Sequence, residues 1–176
     1  MKKILLMAAF AVASLSANAQ AWIGGGIGFD FENHKDEATV TSFTLAPEVG
    51  YTLSDKWAIG LQFDLGYAST NPEHGDSFGT TTLTLAPYAR YTFAKAGIAS
   101  FFVDGGFGIG VVKIEDADAA TVWHVGFRPG VAFNITDHVS FVGTTGYFGF
   151  RHADDYSHFG LNVNNTIGQV GFYYTF

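Results

Sequence analysis

The chain has 176 residues, 9 Lys and Arg against 16 Asp and Glu, and no cysteine. The resulting formal charge of −7 argues against a nucleic-acid partner, and the missing thiols exclude disulfides and thiolate metal sites. Eighteen Phe, eight Tyr and 22 Gly are an unusual load for a water-soluble domain of this length.

The first segment, "MKKILLMAAFAVASLSANAQ", has two lysines, a short apolar run from Ile4, and small residues at Ala17 and Ala19. This is the pattern of a secretory signal with an A-x-A cleavage site. Residues 1–19 are therefore expected to be removed, leaving 20–176 as one domain that begins at Gln20. Loss of Lys2 and Lys3 takes the formal charge from −7 to −9.

Two interleaved repeats run through the rest. One reads "PEVGYTL" (47–53), "PYARYTF" (87–93), "PGVAFNI" (129–135) and "VGFYYTF" (170–176), with anchors Tyr51, Tyr91, Phe133 and Tyr174 spaced 40, 42 and 41 apart. The other reads "GIGF" (26–29), "DLGY" (64–67), "DGGF" (104–107) and "TTGY" (144–147). Four units with two strand-like segments each give eight strands. Tight turns are expected at 54–56, 94–96 and 136–138, and longer polar loops at 33–38, 68–77, 115–120 and 151–160. Short connections at one end and long ones at the other predict an up-and-down meander.

The alternation is apolar against small. In the second strand Phe43, Leu45, Pro47, Val49, Tyr51 and Leu53 oppose Ser42, Thr44, Ala46, Glu48, Gly50 and Thr52. The third sets Trp57, Ile59, Leu61, Phe63, Leu65 and Tyr67 against Gln62 and Asp64. The fourth sets Leu83, Leu85 and Tyr91 against Thr84, Tyr88 and Arg90. The fifth and sixth set Phe101, Val103, Phe107, Trp123, Val125 and Phe127 against Asp104, His124 and Arg128. A soluble barrel would carry Lys, Glu and Asp on its wet outer face. Here the polar face is mostly Gly, Ala, Ser and Thr with isolated charges, which suits a narrow interior, and the bulky apolar face suits lipid. Apolar runs of about 9–11 residues match a tilted strand crossing hydrocarbon. The expected fold is all-β: an eight-stranded antiparallel up-and-down transmembrane barrel.

Aromatics gather at both strand ends: Tyr51, Trp57, Tyr91, Phe133, Tyr174 and Phe176 at the turns, and Phe31, Phe43, Tyr67, Trp123 and Tyr147 toward the loops. Two belts are what amphipathic rings form at membrane interfaces. The seventh strand is the weakest, since "GTTG" (143–146) interrupts its alternation and suggests a bulge. In the eighth, Leu161 and Val163 fall on the inward parity, whereas Val170, Phe172, Tyr174 and Phe176 fall on the lipid-facing one.

The signal segment, the eight alternating strands and the terminal "Y-T-F" resemble small bacterial outer-membrane β-barrels of the OmpA/OmpX-like class, over the whole of 20–176. The resemblance implies an outer membrane of a Gram-negative bacterium, with lipopolysaccharide around the barrel, turns in the periplasm and loops outside. It also implies that Phe172, Tyr174 and Phe176 act as the C-terminal signal for the barrel-assembly machinery, after passage with periplasmic chaperones. With nothing after Phe176, no peptidoglycan-binding domain is expected.

Five charges fall on the inward face near mid-strand: Glu48, Asp64, Arg90, Asp104 and Arg128. Charges in a narrow interior must be paired, and the planar fork of arginine can hold more than one carboxylate. The two arginines are thus expected to bridge the three acids. The loop residues His74, Asp76, His152, Asp154, Asp155 and His158 have no recurring ligand spacing, so no metal is assigned. Ser157, His152 and Asp155 lack the context of a nucleophile, and "GGGIG" at 24–28 precedes no helix. Neither catalysis nor a cofactor is expected. The function expected is a structural or surface-interaction barrel; the alternative is a narrow channel for ions or small solutes, and no loop partner is named.

Overall fold

A computed structural model describes residues 20–33, 38–72, 76–115, 117–153, 156–162 and 169–176. The expected signal, 1–19, lies outside them, as do His74, Asp154, Asp155 and Val163. Every element is a strand: β1 (Ala21–Asn33), β2 (Ala38–Thr52), β3 (Trp57–Pro72), β4 (Phe78–Ala96), β5 (Ala99–Ile114), β6 (Ala120–Asn134), β7 (Val139–Thr144), β8 (Tyr147–Ala153), β9 (Tyr156–Asn162) and β10 (Gln169–Thr175). β7 and β8 both pair with β6 and form one stave, and β9 and β10 pair with its two halves. The ten segments therefore make eight staves. All neighbours are antiparallel, and the β1–β10 pairing from Trp22↔Thr175 to Ile27↔Val170 closes the ring. Closure explains an aromatic C-terminus, because a barrel has no free edge there.

The faces are those of a barrel turned inside out. Among the described residues, 34 large apolar side chains are exposed, most of them on the outward parity of their strands, and only seven hydrophobic residues are buried. Water-soluble monomers rarely expose contiguous apolar patches above a few hundred Å², whereas lipid covers such a surface at no cost. Tyr51 is an exception on the outward parity of β2, being buried.

Turn chemistry is repeated where the sequence repeats. Ser54 Oγ accepts the Trp57 amide at 3.1 Å, and Thr136 Oγ1 accepts the Val139 amide at 3.0 Å. In both a hydroxyl closes the turn on the residue three further on. The turn expected at 94–96 lies later. β4 runs on through Ala96, and Gly97 and Ile98 make the reversal, because Gly97 takes a left-handed φ of 58°. A bulge between Thr92 and Ala94 supplies the extra residue.

The stretch 151–160, expected as a loop, contains much of the β8–β9 hairpin instead. Phe148 packs edge-on against Phe159 at 5.5 Å, and His152 pairs with Ser157, so cross-strand contacts continue past the barrel wall. The bulge suggested by "GTTG" lies at Thr145–Gly146: Gly130 pairs with Thr144, but Phe127 pairs with Phe148, one residue out of register. Gly146 has φ 69° and the Thr145 amide reaches the Pro129 carbonyl at 3.1 Å. The slip exchanges the faces of β8 relative to β7. Tyr147, expected in the loop-end belt, consequently lines the interior. In β9 the outward-facing Phe159 has odd parity, and Leu161 pairs by backbone register with Phe148; the even parity resumes only in β10.

Candidate functional site

Register places the interior charges. Arg90 pairs directly with Asp104 across β4–β5, and Asp104 pairs directly with Arg128 across β5–β6. Three inward positions at one height thus carry cation, anion and cation. Arg90 donates from Nε and one terminal nitrogen to the two Asp104 oxygens at 2.7 and 2.9 Å, and Arg128 donates to Asp104 at 3.3 Å. Such a forked pair holds geometry as well as charge.

Glu48 and Asp64 are held differently from the expected direct bridges. Both hydroxyls of Tyr88 and Tyr173 donate to Glu48, the first at 2.5 Å. Tyr173 in turn accepts from Arg90 at 3.3 Å. Asp64 accepts from Gln62 Nε2 at 2.5 Å, and Gln62 Oε1 accepts from Arg128 at 2.7 Å. Among the described residues, then, arginine bridges Asp104 alone, and the other two acids are reached through a tyrosine and a glutamine. The reason is position: Glu48 lies across from Gln62, not from an arginine.

The result is one continuous chain across the lumen: Asp64, Gln62, Arg128, Asp104, Arg90, Tyr173, Glu48, Tyr88. Its centre is dry, with Gln62, Asp104 and Glu48 only 2, 3 and 6 % exposed. Burial at this level is tolerable because nearly every polar atom has a partner. Arg128 Nε and Thr144 Oγ1 are the buried side-chain atoms that lack one among the described residues. Toward the turns the Arg90 guanidinium is boxed by rings, with the Phe102, Tyr173, Tyr88 and Trp22 centroids at 3.8, 5.3, 5.4 and 5.8 Å. Trp22 stacks on Tyr173 at 4.5 Å.

The inward rings fit because each faces a glycine on a neighbouring stave. Trp22 pairs with Gly50, Tyr88 with Gly60, Phe102 with Gly130, His124 with Gly108 and Tyr173 with Gly24. A methyl group at any of these glycines would collide with the ring opposite. "GGGIG" in β1 is part of this packing.

Two vestibules flank the plug. The turn-end one, about 420 Å³, has Arg90, Phe102 and Tyr173 in its wall. The loop-end one, about 360 Å³, has Gln62, Asp64 and Arg128 in its wall.

Sequence parity had placed Gln62 and Tyr88 inward, yet neither was assigned to the charge network. Tyr173 and Gln169 were missed as well. Parity alone would have found both, since they alternate with Val170, Phe172 and Tyr174.

Those three outward residues and Phe176 form a C-terminal row on the lipid face, with Phe172 and Phe176 63 and 68 % exposed. The row is tied down on both sides. Phe176 N donates to the Ala21 carbonyl at 2.9 Å and Thr175 N to the His138 carbonyl at 2.8 Å. The Phe141 and Phe172 rings meet edge-on at 5.3 Å.

On the β8–β9 hairpin His152 Nδ1 lies 2.8 Å from Ser157 Oγ, an exposed cross-strand pair. No group of three or more possible metal ligands gathers among the described residues.

Comparison with known proteins gives the same architecture. No curated protein sequence matches the chain. Among solved structures, the outer membrane protein OprG from Pseudomonas aeruginosa is similar over 90 % of this chain and 95 % of its own, at 16 % identity and a TM-score of 0.56. Neisserial surface protein A aligns over 90 and 96 % at 14 % identity and a TM-score of 0.49. Ail of Yersinia pestis, in a phospholipid nanodisc, aligns over 90 and 100 % at 16 % identity and 0.45. At 16 % identity the likeness to OprG concerns the fold. The family model described as "Outer membrane protein beta-barrel domain" matches residues 4–176. The chain belongs to this family of β-barrels of the Gram-negative outer membrane.

Proposed function

We propose that this barrel is closed to solutes and not an enzyme, and that its role is structural or is carried by the loops it displays. The observation behind this reading is the unbroken side-chain chain from Asp64 to Tyr88, which separates the two vestibules. An eight-stranded interior is just wide enough for side chains, and here they meet in the middle. Ions would have to cross a level where the polar groups already satisfy one another.

The second reading, a narrow channel, draws on the vestibules themselves, which reach the charged plug from both ends, at Arg90 and at Arg128. Planar-bilayer recording of the folded protein decides. A silent membrane over hours supports the closed barrel; reproducible single-channel steps that change in Arg128→Ala would replace it with the channel.

Assembly follows the same family logic. Phe172, Tyr174 and Phe176 are proposed as the motif read by the assembly machinery, after chaperoned transit through the periplasm. Their support is an outward row that remains accessible on the last stave.

A further inference from the structure

We propose that the loop-end vestibule is a binding cup for a small monocarboxylate with an apolar body, and that Arg151 is the residue that meets the carboxylate. The cup is a built space of about 360 Å³. Its charged walls are Asp64 from β3, Arg128 from β6 and Arg151 from β8.

The balance of donors and acceptors points to an anion. The single carboxylate, Asp64, is taken by the Gln62 amide at 2.5 Å. Arg151 is held with its guanidinium 6.0 Å over the Tyr147 ring, at the exposed end of the cup. Beneath it Arg128 spends its terminal nitrogens on Gln62, Asp104 and Gln169, while its Nε–H has no acceptor among the described residues. Among the described residues lining the cup, Asp64 is the sole carboxylate against two arginines, so positive charge is in excess there. A carboxylate offers two oxygens to the fork of arginine.

The rest of the wall sets the ligand class. Val112, Val122 and the edge-on pair of His124 and Tyr147, with centroids 5.7 Å apart, give apolar surface beside the hydroxyls of Thr44 and Thr84. Small-molecule sites commonly combine such a wall with a few fixed polar groups.

The slip at Thr145–Gly146 is what creates the cup. Without it β8 would present Phe148 and Phe150 to the interior in place of Tyr147 and Arg151.

The test is a titration of the full mature protein, folded in detergent and labelled with nitrogen-15 arginine. Benzoate is the probe and benzamide its uncharged counterpart. A saturable shift of an arginine Nε–H resonance with benzoate, absent with benzamide and weakened at least tenfold in both Arg151→Ala and Arg151→Gln, is expected. Lys95→Ala, in the opposite vestibule, should bind as the parent does. Each variant is first checked for heat-dependent gel mobility, so that misfolding is not read as lost binding. Equal shifts with benzamide, a linear response, unchanged affinity in both Arg151 variants, or inorganic phosphate binding more tightly than benzoate would overturn the proposal.

Discussion

Arg90 and Asp104 face each other across β4–β5 and share two hydrogen bonds of 2.7 and 2.9 Å in the middle of the barrel. The pair is buried, so its worth lies in what happens when half of it is removed. Losing one partner of a buried ion pair costs about 3–5 kcal/mol, because the other charge stays behind without compensation. Arg90→Ala also removes the centre of the aromatic box formed by Trp22, Tyr88, Phe102 and Tyr173. Urea unfolding in detergent should show a loss of this size. Arg128→Ala leaves the forked pair intact and should cost clearly less. Equal losses in the two variants would mean that the network has no preferred pair.

The glycine opposite each inward ring is a steric requirement and can be tested as one. Gly50→Ala would drive a methyl group into the Trp22 ring. Overpacking of this kind costs typically about 1–3 kcal/mol. Combining it with Trp22→Ala should recover part of the loss, with a coupling of about 0.5–3 kcal/mol in the double-mutant cycle. Additive losses would show that the glycine is needed for its backbone and not for the space above it.

The C-terminal row separates packing from recognition. Phe176 faces outward and is 68 % exposed, so it adds little to the interior. Phe176→Ala should therefore refold in detergent nearly as well as the parent, measured by the heat-dependent gel shift. In cells its yield in the outer membrane should fall several-fold if the assembly machinery reads this residue. A matched fall in both assays would assign Phe176 to stability alone.

Much of this arrangement was legible because a strand has a period of two. Parity assigned the inward charges, the lipid face and the terminal row from single residues such as Asp104 and Phe172. It could not give the partners. Whether Glu48 meets an arginine or two tyrosines depends on stagger between staves, and stagger is set by turns and bulges that leave weak marks in sequence. The reversal falls at Gly97, just past "AKA", because, although "AKA" reads as a polar turn, Gly97 supplies the left-handed φ that the reversal uses. Tyr147 was put on the wrong face for a related reason: one extra residue before it reverses every later side chain of its stave.

That extra residue yields the sharpest contrast. Gly130↔Thr144 and Phe127↔Phe148 differ by one in register, so two β6 residues lie opposite three on the bulged stave. Deleting Thr145 removes the surplus and leaves Phe148 and Phe150 on the outward face. The variant should still form a barrel with a heat-dependent gel shift. Inserting one alanine after Gly146 makes the surplus two. If the bulge holds only one of them, β8 slips by one against β6, which turns Phe148 and Phe150 into the lumen and Arg151 toward lipid, where arginine costs up to about 2–4 kcal/mol at the bilayer midplane and less near its surface. The slip also takes Tyr147 and Arg151 out of the lumen and sets a charge against lipid, so the insertion should sharply reduce the folded band. A stable barrel from the insertion together with an unfolded deletion would mean that the bulge is needed for its own geometry, and that the faces of β8 are set by something other than register.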